Sequence, residues 1–103
     1  MGLVAKGYWI AHNQVKDAAA YEAYKIAAAP ALRAYGAQFL VRAGRRKTPE
    51  GTLHPRTIVI EFPSYQAAQD CYSSAEYQLA KKIRLPLANS DLTIVEGYDT
   101  ETS

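Results

Sequence analysis

The sequence predicts an α+β fold in which the elements follow one another in the order β-α-β-β-α-β. Four segments are rich in β-branched and aromatic residues, two stretches between them have the spacing of amphipathic helices, and a polar loop separates the second and third strands. A chain of 103 residues is long enough for one hydrophobic core. We therefore expect a single domain over residues 1–103, with its core at about 6–98 and a frayed tail over 99–103.

The first predicted strand is Lys6–Val15. Because side chains alternate along a strand, Tyr8, Ile10 and His12 share one face and Trp9, Ala11 and Asn13 share the other. Asp17 is a suitable N-cap for a helix over Ala18–Tyr35. We expect Tyr21 and Tyr24 on its sheet-facing side, a bend or break at Pro30, and a left-handed Gly36 after its last turn.

The middle of the chain predicts a β-hairpin. Its strands are Gln38–Gly44 and Arg56–Phe62, and the loop Arg45–His54 between them is polar and contains Pro49 and Gly51. The second of these strands has apolar residues on both faces, because Val59 points to one side of the sheet and its neighbours Ile58 and Ile60 point to the other. It is the clearest strand in the sequence.

The last third predicts two short helices and a strand. Pro63 ends the preceding strand and Ser64 caps a helix over Tyr65–Tyr72. Ser74 begins a further helical piece that ends before Pro86, and the final strand is Asp91–Gly97. On the second helical piece, Tyr77, Ala80, Lys81 and Arg84 follow one another at helical spacing.

This element order is that of the ferredoxin-like fold, in which two right-handed βαβ units interleave. It predicts a four-stranded antiparallel sheet with the first and third strands central and the helices on one face. The third and fourth strands are apolar on both faces, whereas a sheet with one wet face alternates more cleanly. We therefore expect the second face to be covered by another copy of the chain in a homodimer.

Composition and charge exclude several classes of protein. No apolar run approaches the roughly 18 residues of a membrane span, so no membrane association is expected. The start of the chain lacks a secretory signal and the single Cys71 cannot form an internal disulfide, which favours a cytoplasmic location. The net charge of +2 is too small to indicate a nucleic-acid partner. The third strand also has no stacking aromatic in its middle and carries Glu61, unlike RNA-recognition domains of this topology.

Metal and cofactor sites are not expected. His12 and His54 are the only histidines and no cysteine pair exists, whereas a zinc or iron site needs three or four converging ligands. His12 on a strand is also a poor haem ligand. Cys71 follows Ala67 and Ala68 on one helix stripe, which favours a buried, inert thiol over a nucleophile.

Polar residues within the strands are the best indication of a site. His12, Arg42 and Glu61 lie on three predicted strands, and tyrosines of the helices could form apolar walls, namely Tyr21, Tyr24, Tyr72 and Tyr77. Such a set is typical of a small-molecule pocket, with His12 and Glu61 as the catalytic residues, His12 acting as acid or base and Glu61 orienting it, and with Arg42 as an anion anchor. The alternative is that Glu61 and Arg42 form a structural ion pair and His12 is an ordinary sheet residue.

Several segments together resemble the small bacterial DUF1330 family. They are DAAAYEAY (Asp17–Tyr24), YGAQFLVRAG (Tyr35–Gly44), IEFPSYQAAQDCYSSAEYQ (Ile60–Gln78) and DLTIVEG (Asp91–Gly97). The resemblance runs from about Gly7 to Tyr98. That family resembles the dimeric α/β-barrel superfamily, which includes antibiotic-biosynthesis monooxygenases and muconolactone isomerase. The resemblance implies a homodimer whose sheets pack face to face, and it implies no particular activity.

Two functions remain open on the sequence. The first is a cofactor-independent enzyme, or a binder, of a small aromatic or carboxylate metabolite in a cavity between helices and sheet. There Arg42, Tyr24, Tyr72 and Tyr77 would contact the ligand. The second is a non-catalytic dimeric structural or accessory module whose tyrosines serve packing alone. No sequence feature decides between them.

Overall fold

The computed structural model of the protein describes residues 5–98, and the predicted tail over 99–103 lies outside this range. The elements, in chain order, are β1 (Gly7–Val15), α1 (Ala18–Ala34), β2 (Gln38–Arg42), β3 (Arg56–Phe62), α2 (Tyr65–Ser73), α3 (Ala75–Arg84) and β4 (Ala88–Glu96). The predicted βαββαβ order is confirmed, with its second helix divided into α2 and α3 at Ser74.

The four strands form one antiparallel sheet in the order β2-β3-β1-β4. The first and third strands are therefore central, as predicted. Trp9, Ile60 and Phe62 point to the side that the helices cover and are almost fully buried. The sheet thus has a helix-facing side and an open face, which we define as the side away from the helices.

Helix α1 begins where the sequence predicts, because the Asp17 carboxylate accepts a hydrogen bond of 3.0 Å from the backbone N–H of Ala20. The helix continues through Pro30 to Ala34, so the break predicted there is wrong. Pro30 lies on the exposed side of the helix, where water can reach the carbonyl that its missing N–H leaves free. Gly36 has φ of +76°, which confirms the left-handed residue after the helix.

Two serines cap the N-termini of helices α2 and α3. The Ser64 hydroxyl accepts from the N–H of Ala67 at 3.0 Å, and the Ser74 hydroxyl accepts from the N–H of Tyr77 at 3.2 Å. Strand β4 begins at Ala88, three residues before its predicted start, because Ala88 already pairs with Val15 at the end of β1. Among residues 5–98, no helix is long and apolar enough to cross a membrane.

Strand β2 contains a β-bulge at Leu40. Phe39 pairs with Ile60 and Val41 pairs with Val59, so one residue of β2 has no partner on β3. Strict alternation would place Phe39 and Arg42 on opposite sides of the sheet. The bulge instead brings Arg42 opposite Ile58, on the helix-facing side with Phe39. The strand ends there, since Ala43 takes φ of +58°.

The core is centred on Trp9, whose indole N–H donates to the backbone carbonyl of Ala68 at 2.9 Å. The rings of Phe62 and Tyr77 pack against it with centroids 5.1 and 4.8 Å away. Cys71 is fully buried among these groups, as predicted, and burial raises the pKa of its thiol to about 12. A thiol with this pKa is uncharged at neutral pH and is a poor nucleophile.

Candidate binding site between helix α1 and the sheet

A cavity of about 290 Å³ lies between α1, α3 and the helix-facing side of the sheet. It exists because α1 packs chiefly against α3 rather than directly on the strands. Its volume is close to the lower end of small-molecule sites. The exposed strand β2 leaves the cavity open to solvent at Phe39 and Arg42, which both line it.

The floor of the cavity changes from polar to apolar along the strands. Because paired residues share a side of the sheet, the register arranges the lining residues in three cross-strand rows. The polar row is Ser90, Asn13 and Arg56, the middle row is Leu92, Ala11, Ile58 and Arg42, and the apolar row is Trp9, Ile60 and Phe39. Neighbouring rows are about 7 Å apart, given the rise of two residues along a strand.

Arg84 of α3 forms the inner wall above this floor. It is 7% exposed, and its Nε atom has no hydrogen-bond partner within residues 5–98. Its guanidinium carbon lies 5.8 Å from the ring centroid of Tyr24. Burial acts to lower the pKa of Arg84, but the oxygens of Tyr77 and Tyr24 raise it and the net direction is upward, so the group stays cationic.

The hydroxyl groups of Tyr24 and Tyr77 lie 2.9 Å apart beside Arg84. Burial raises the pKa of both phenols, so both stay protonated at neutral pH. In such a pair one hydroxyl donates to the other, and the accepting residue keeps its own O–H free to donate to a ligand.

Asn13 in the polar row holds two neighbours in place. Its Oδ1 accepts from Arg56 at 3.0 Å, and its Nδ2 donates to the Tyr21 hydroxyl at 3.4 Å. The Arg56 guanidinium carbon lies 5.5 Å from the Tyr21 ring centroid. In the same row, the Ser90 hydroxyl is buried and unpaired within the described part of the chain. Arg84 and Ser90 both line the cavity, and each has one buried polar atom without a partner within residues 5–98.

The charge of the lining is entirely positive. Its five charged side chains are Lys25, Arg33, Arg42, Arg56 and Arg84, and the part of the chain that the structure describes adds no Asp, Glu or His to the lining. Within residues 5–98, Lys25 alone of these five has an acidic partner, Glu22 at 3.0 Å. Such a surface attracts an anion and offers it charge-assisted hydrogen bonds. No group of three or more His, Cys, Asp or Glu within residues 5–98 could hold a metal ion.

The predicted site residues separate into two groups. Arg42, Tyr24 and Tyr77 line the cavity, whereas His12 and Glu61 lie on the open face of the sheet. The prediction that His12, Arg42 and Glu61 border one cavity is therefore wrong. The physical reason is alternation, since Trp9 and Asn13 face the helices and their neighbour His12 must face away, and Glu61 lies between the inward Ile60 and Phe62.

On the open face, His12 and Glu61 do not contact each other. His12 is opposite Thr57, and Glu61 lies four positions further along β3, so the Cα atoms of Thr57 and Glu61 are about 13 Å apart. Glu61 instead accepts a hydrogen bond of 3.2 Å from the Tyr8 hydroxyl. Arg42 contacts neither group, so the predicted structural pair of Glu61 and Arg42 is also wrong.

Tyr72 is outside the lining of the cavity. Its ring packs edge-on against Trp9 with centroids 6.0 Å apart, and the Lys81 ammonium lies 5.1 Å from its centroid. The prediction that Tyr72 contacts a ligand is not supported, because α2 turns this ring toward the core at the far side of Trp9.

Four polar residues of the site were not predicted, namely Arg84, Asn13, Arg56 and Ser90. The first three carried a usable signal. Arg84 follows Ala80 by four residues on the helix stripe that buries Tyr77. Asn13 and Arg56 alternate with buried residues of their strands, which places them on the helix-facing side.

The comparisons with known proteins agree on the family and the fold. A family model described as "Domain of unknown function (DUF1330)" matches residues 6–98. No curated protein matches the sequence. Among solved structures, the RPA0582 protein of unknown function from Rhodopseudomonas palustris is similar with a TM-score of 0.72 and 17% identity, covering 94% of this chain and 85% of that one.

Two further structures show the same fold. SnoaB, a cofactor-independent oxygenase from Streptomyces nogalater, has a TM-score of 0.61 and 12% identity, with 97% of this chain and 100% of that chain covered. A protein from Bacteroides fragilis NCTC 9343, described as dimeric, of unknown function and ferredoxin-like, has a TM-score of 0.57 and 14% identity, with 88% and 95% covered. The structural similarity establishes the ferredoxin-like fold. At these low sequence identities it does not transfer a function to this chain.

Proposed function

The chain belongs to the DUF1330 family, a domain of unknown function, and we propose that it binds a small anionic molecule with an apolar body, such as an aromatic carboxylate. The observation that carries the proposal is the buried Arg84, whose Nε–H has no hydrogen-bond partner within residues 5–98, beside a cavity to which those residues contribute no acidic side chain. A buried cation without an acidic partner is costly, and a bound carboxylate would supply that partner.

The floor orients such a ligand. The oxyanion would lie near the polar row and Arg84, where Ser90 and the tyrosine pair offer further donors. The apolar body would lie toward the row that contains Trp9 and Phe39. A volume of about 290 Å³ suits a single-ring metabolite better than a larger polycyclic one.

Binding is the activity that these residues support best. The lining has no Asp, Glu, His or Cys within residues 5–98, so the cavity holds no ordinary general base or nucleophile. The alternative function, a packing module without a ligand, provides no hydrogen-bond partner for the buried Arg84 Nε–H and the buried Ser90 hydroxyl. A cytoplasmic location, expected from the single buried cysteine, belongs to the same proposal.

We also propose that the protein works as a homodimer through its open face. Tyr8, Ile10 and Val59 lie on this face and are only half-buried in the single chain, and Val95 beside them is 39% exposed. The Bacteroides fragilis protein of the same fold is described as dimeric. A second copy is the simplest occupant of an apolar sheet face.

Calorimetric titration with benzoate tests the binding function, and benzamide, which has the same ring but no charge, is the matched ligand. We expect benzoate to bind and benzamide to bind at least about tenfold more weakly, because a buried charge-assisted bond is lost. Arg84→Met should abolish benzoate binding. Arg45→Met, which removes an exposed loop arginine outside the lining, should leave it unchanged. Equal binding of both ligands would contradict the proposal.

A further inference from the structure

We propose that the cavity ionises weakly acidic hydroxyl groups: it binds a phenol or enol as the conjugate base and thereby lowers the pKa of the bound ligand. The inference rests on the proposed anion-binding function and extends it from carboxylates, which are already charged at neutral pH, to ligands that are neutral in water.

The first support is the hydrogen-bonding character of the inner end. The Arg84 Nε–H can only donate, and the Asn13 carbonyl oxygen is already occupied by Arg56. The tyrosine pair and Ser90 add further O–H donors. A phenolate accepts several hydrogen bonds and donates none, so it matches a site of converging donors. A neutral phenol would have to donate to a hydroxyl oxygen of the tyrosine pair or Ser90, which accepts more weakly than the carboxylate or imidazole that the lining lacks within residues 5–98.

The second support is the charge. Arg84 is 93% shielded from solvent by the surrounding chain, since only 7% of it is exposed. An oxyanion placed beside it interacts with a cation that water screens poorly. A positive charge within about 4–6 Å lowers the pKa of an acid by about 1–3 units. Arg42 and Arg56, which also line the cavity, act in the same direction.

The proton balance follows from the lining. The O–H bond of the ligand breaks, the electron pair stays on the ligand oxygen, and the proton leaves to bulk water or buffer. It leaves through the opening beside β2, where Phe39 and Arg42 are exposed. No side chain needs to take it up, and no oxidant or cofactor takes part. The cavity therefore acts by stabilising the anion rather than by removing the proton.

The test uses 4-nitrophenol, whose phenolate absorbs visible light where the neutral phenol does not. The absorbance of the phenolate is followed against pH with the dye alone and with enough protein to bind most of it. We expect the ionisation midpoint of the bound dye to fall by about 1–3 units, as a nearby cation dictates. Arg84→Met should remove most of the shift, Arg84→Lys should retain part of it, and Arg45→Met should leave it unchanged.

The outcomes separate this inference from the proposed function. If 4-nitrophenol binds with an unshifted midpoint while benzoate binding still depends on Arg84, the anion-binding function stands and the ionisation is overturned. If neither benzoate nor 4-nitrophenol binds, both are overturned. A shift that survives Arg84→Met in a folded variant would contradict the role of Arg84. Should that variant not fold, the wild-type shift and its partial retention in Arg84→Lys decide the question.

Discussion

The hydroxyl of Tyr24 on α1 and the hydroxyl of Tyr77 on α3 lie 2.9 Å apart, which joins the two helices at the inner end of the cavity. Both phenols are neutral, and Tyr77 is fully buried against Trp9. The pair therefore links the position of α1 to the core, although α1 stands away from the sheet.

Removal of one hydroxyl of this pair should destabilise the protein, because the other hydroxyl then loses its partner. Tyr77→Phe leaves the half-buried Tyr24 hydroxyl without its partner and should cost about 1–3 kcal/mol of unfolding free energy. The double variant Tyr24→Phe/Tyr77→Phe should cost less than the sum of the single changes, because it leaves neither hydroxyl unpaired. Urea denaturation measures both, and Tyr98→Phe, at a residue that is 77% exposed, is the matched control. Strictly additive effects would contradict a direct bond.

Arg84→Met should stabilise the protein while it destroys the anion site. The change replaces a buried cation, whose Nε–H has no partner within residues 5–98, by an apolar side chain of similar length and should raise the unfolding free energy by about 1–3 kcal/mol. Thermal and urea unfolding measure the change, with Arg45→Met expected to stay within about 0.5 kcal/mol of wild type. A large loss of stability would mean that Arg84 serves the fold rather than a ligand.

Removal of the bulge at Leu40 should leave the contribution of Arg42 to binding intact. Deletion of Leu40 restores regular alternation, in which Phe39 and Arg42 stay opposite Ile60 and Ile58 on the helix-facing side. Arg42→Met should therefore weaken benzoate binding by a similar factor in the wild type and in the deletion variant. Calorimetry on the wild type, the two single variants and the double variant measures both factors. If Arg42→Met weakens binding in the wild type and changes nothing in the deletion variant, the bulge itself is needed to orient Arg42.

Cys71 should react with thiol reagents only when the protein unfolds. Its pKa is raised by burial from the ordinary 9.0 to about 12, so the native thiol is protonated at neutral pH. The raised pKa also favours folding fully below pH 9.0, and this contribution is lost as pH rises toward 12. Titration with a chromogenic disulfide, with and without urea, measures the first effect. Rapid labelling of the native protein at neutral pH would contradict the buried position.

A charge on the open face should disrupt the homodimer. Val59 lies at the middle of the central strand β3, and Val59→Lys would place an ammonium group in the proposed interface. Light scattering should then report a monomer at concentrations where the wild type is a dimer. Leu79→Lys is the control, because Leu79 is 63% exposed on α3. A wild-type monomer at micromolar concentration would refute the dimer itself.

The sequence was sufficient for the topology because each element carried its own boundary signal. The caps Asp17, Ser64 and Ser74 and the alternation of β3 are local properties, and the structure places them as predicted. The sequence did not show that the predicted site residues lie on two different sides of the sheet. His12 and Glu61 were assigned to the cavity because they are polar residues within apolar strands, yet a half-exposed open face accommodates such residues equally well.

Two site features could not follow from local patterns in the same way. The bulge at Leu40 has no sequence marker such as glycine, and it reverses the side assignment of every later residue of β2. Arg84 is the last residue of its helix, where a cation ordinarily stabilises the C-terminus and does not by itself indicate a buried site. Its burial depends on how α1 and α3 pack together, which is a tertiary property.

The irregular register of β2 also bears on solubility. This strand lies at the edge of the sheet, and its apolar Phe39, Leu40 and Val41 are all exposed, a combination that invites strands from other molecules to add on and propagate into aggregates. A bulge interrupts the even row of backbone donors and acceptors that such growth requires. The bulged residue thus protects the edge, and the Leu40 deletion should form fibrils more readily on prolonged incubation than a protein carrying Arg42→Met alone.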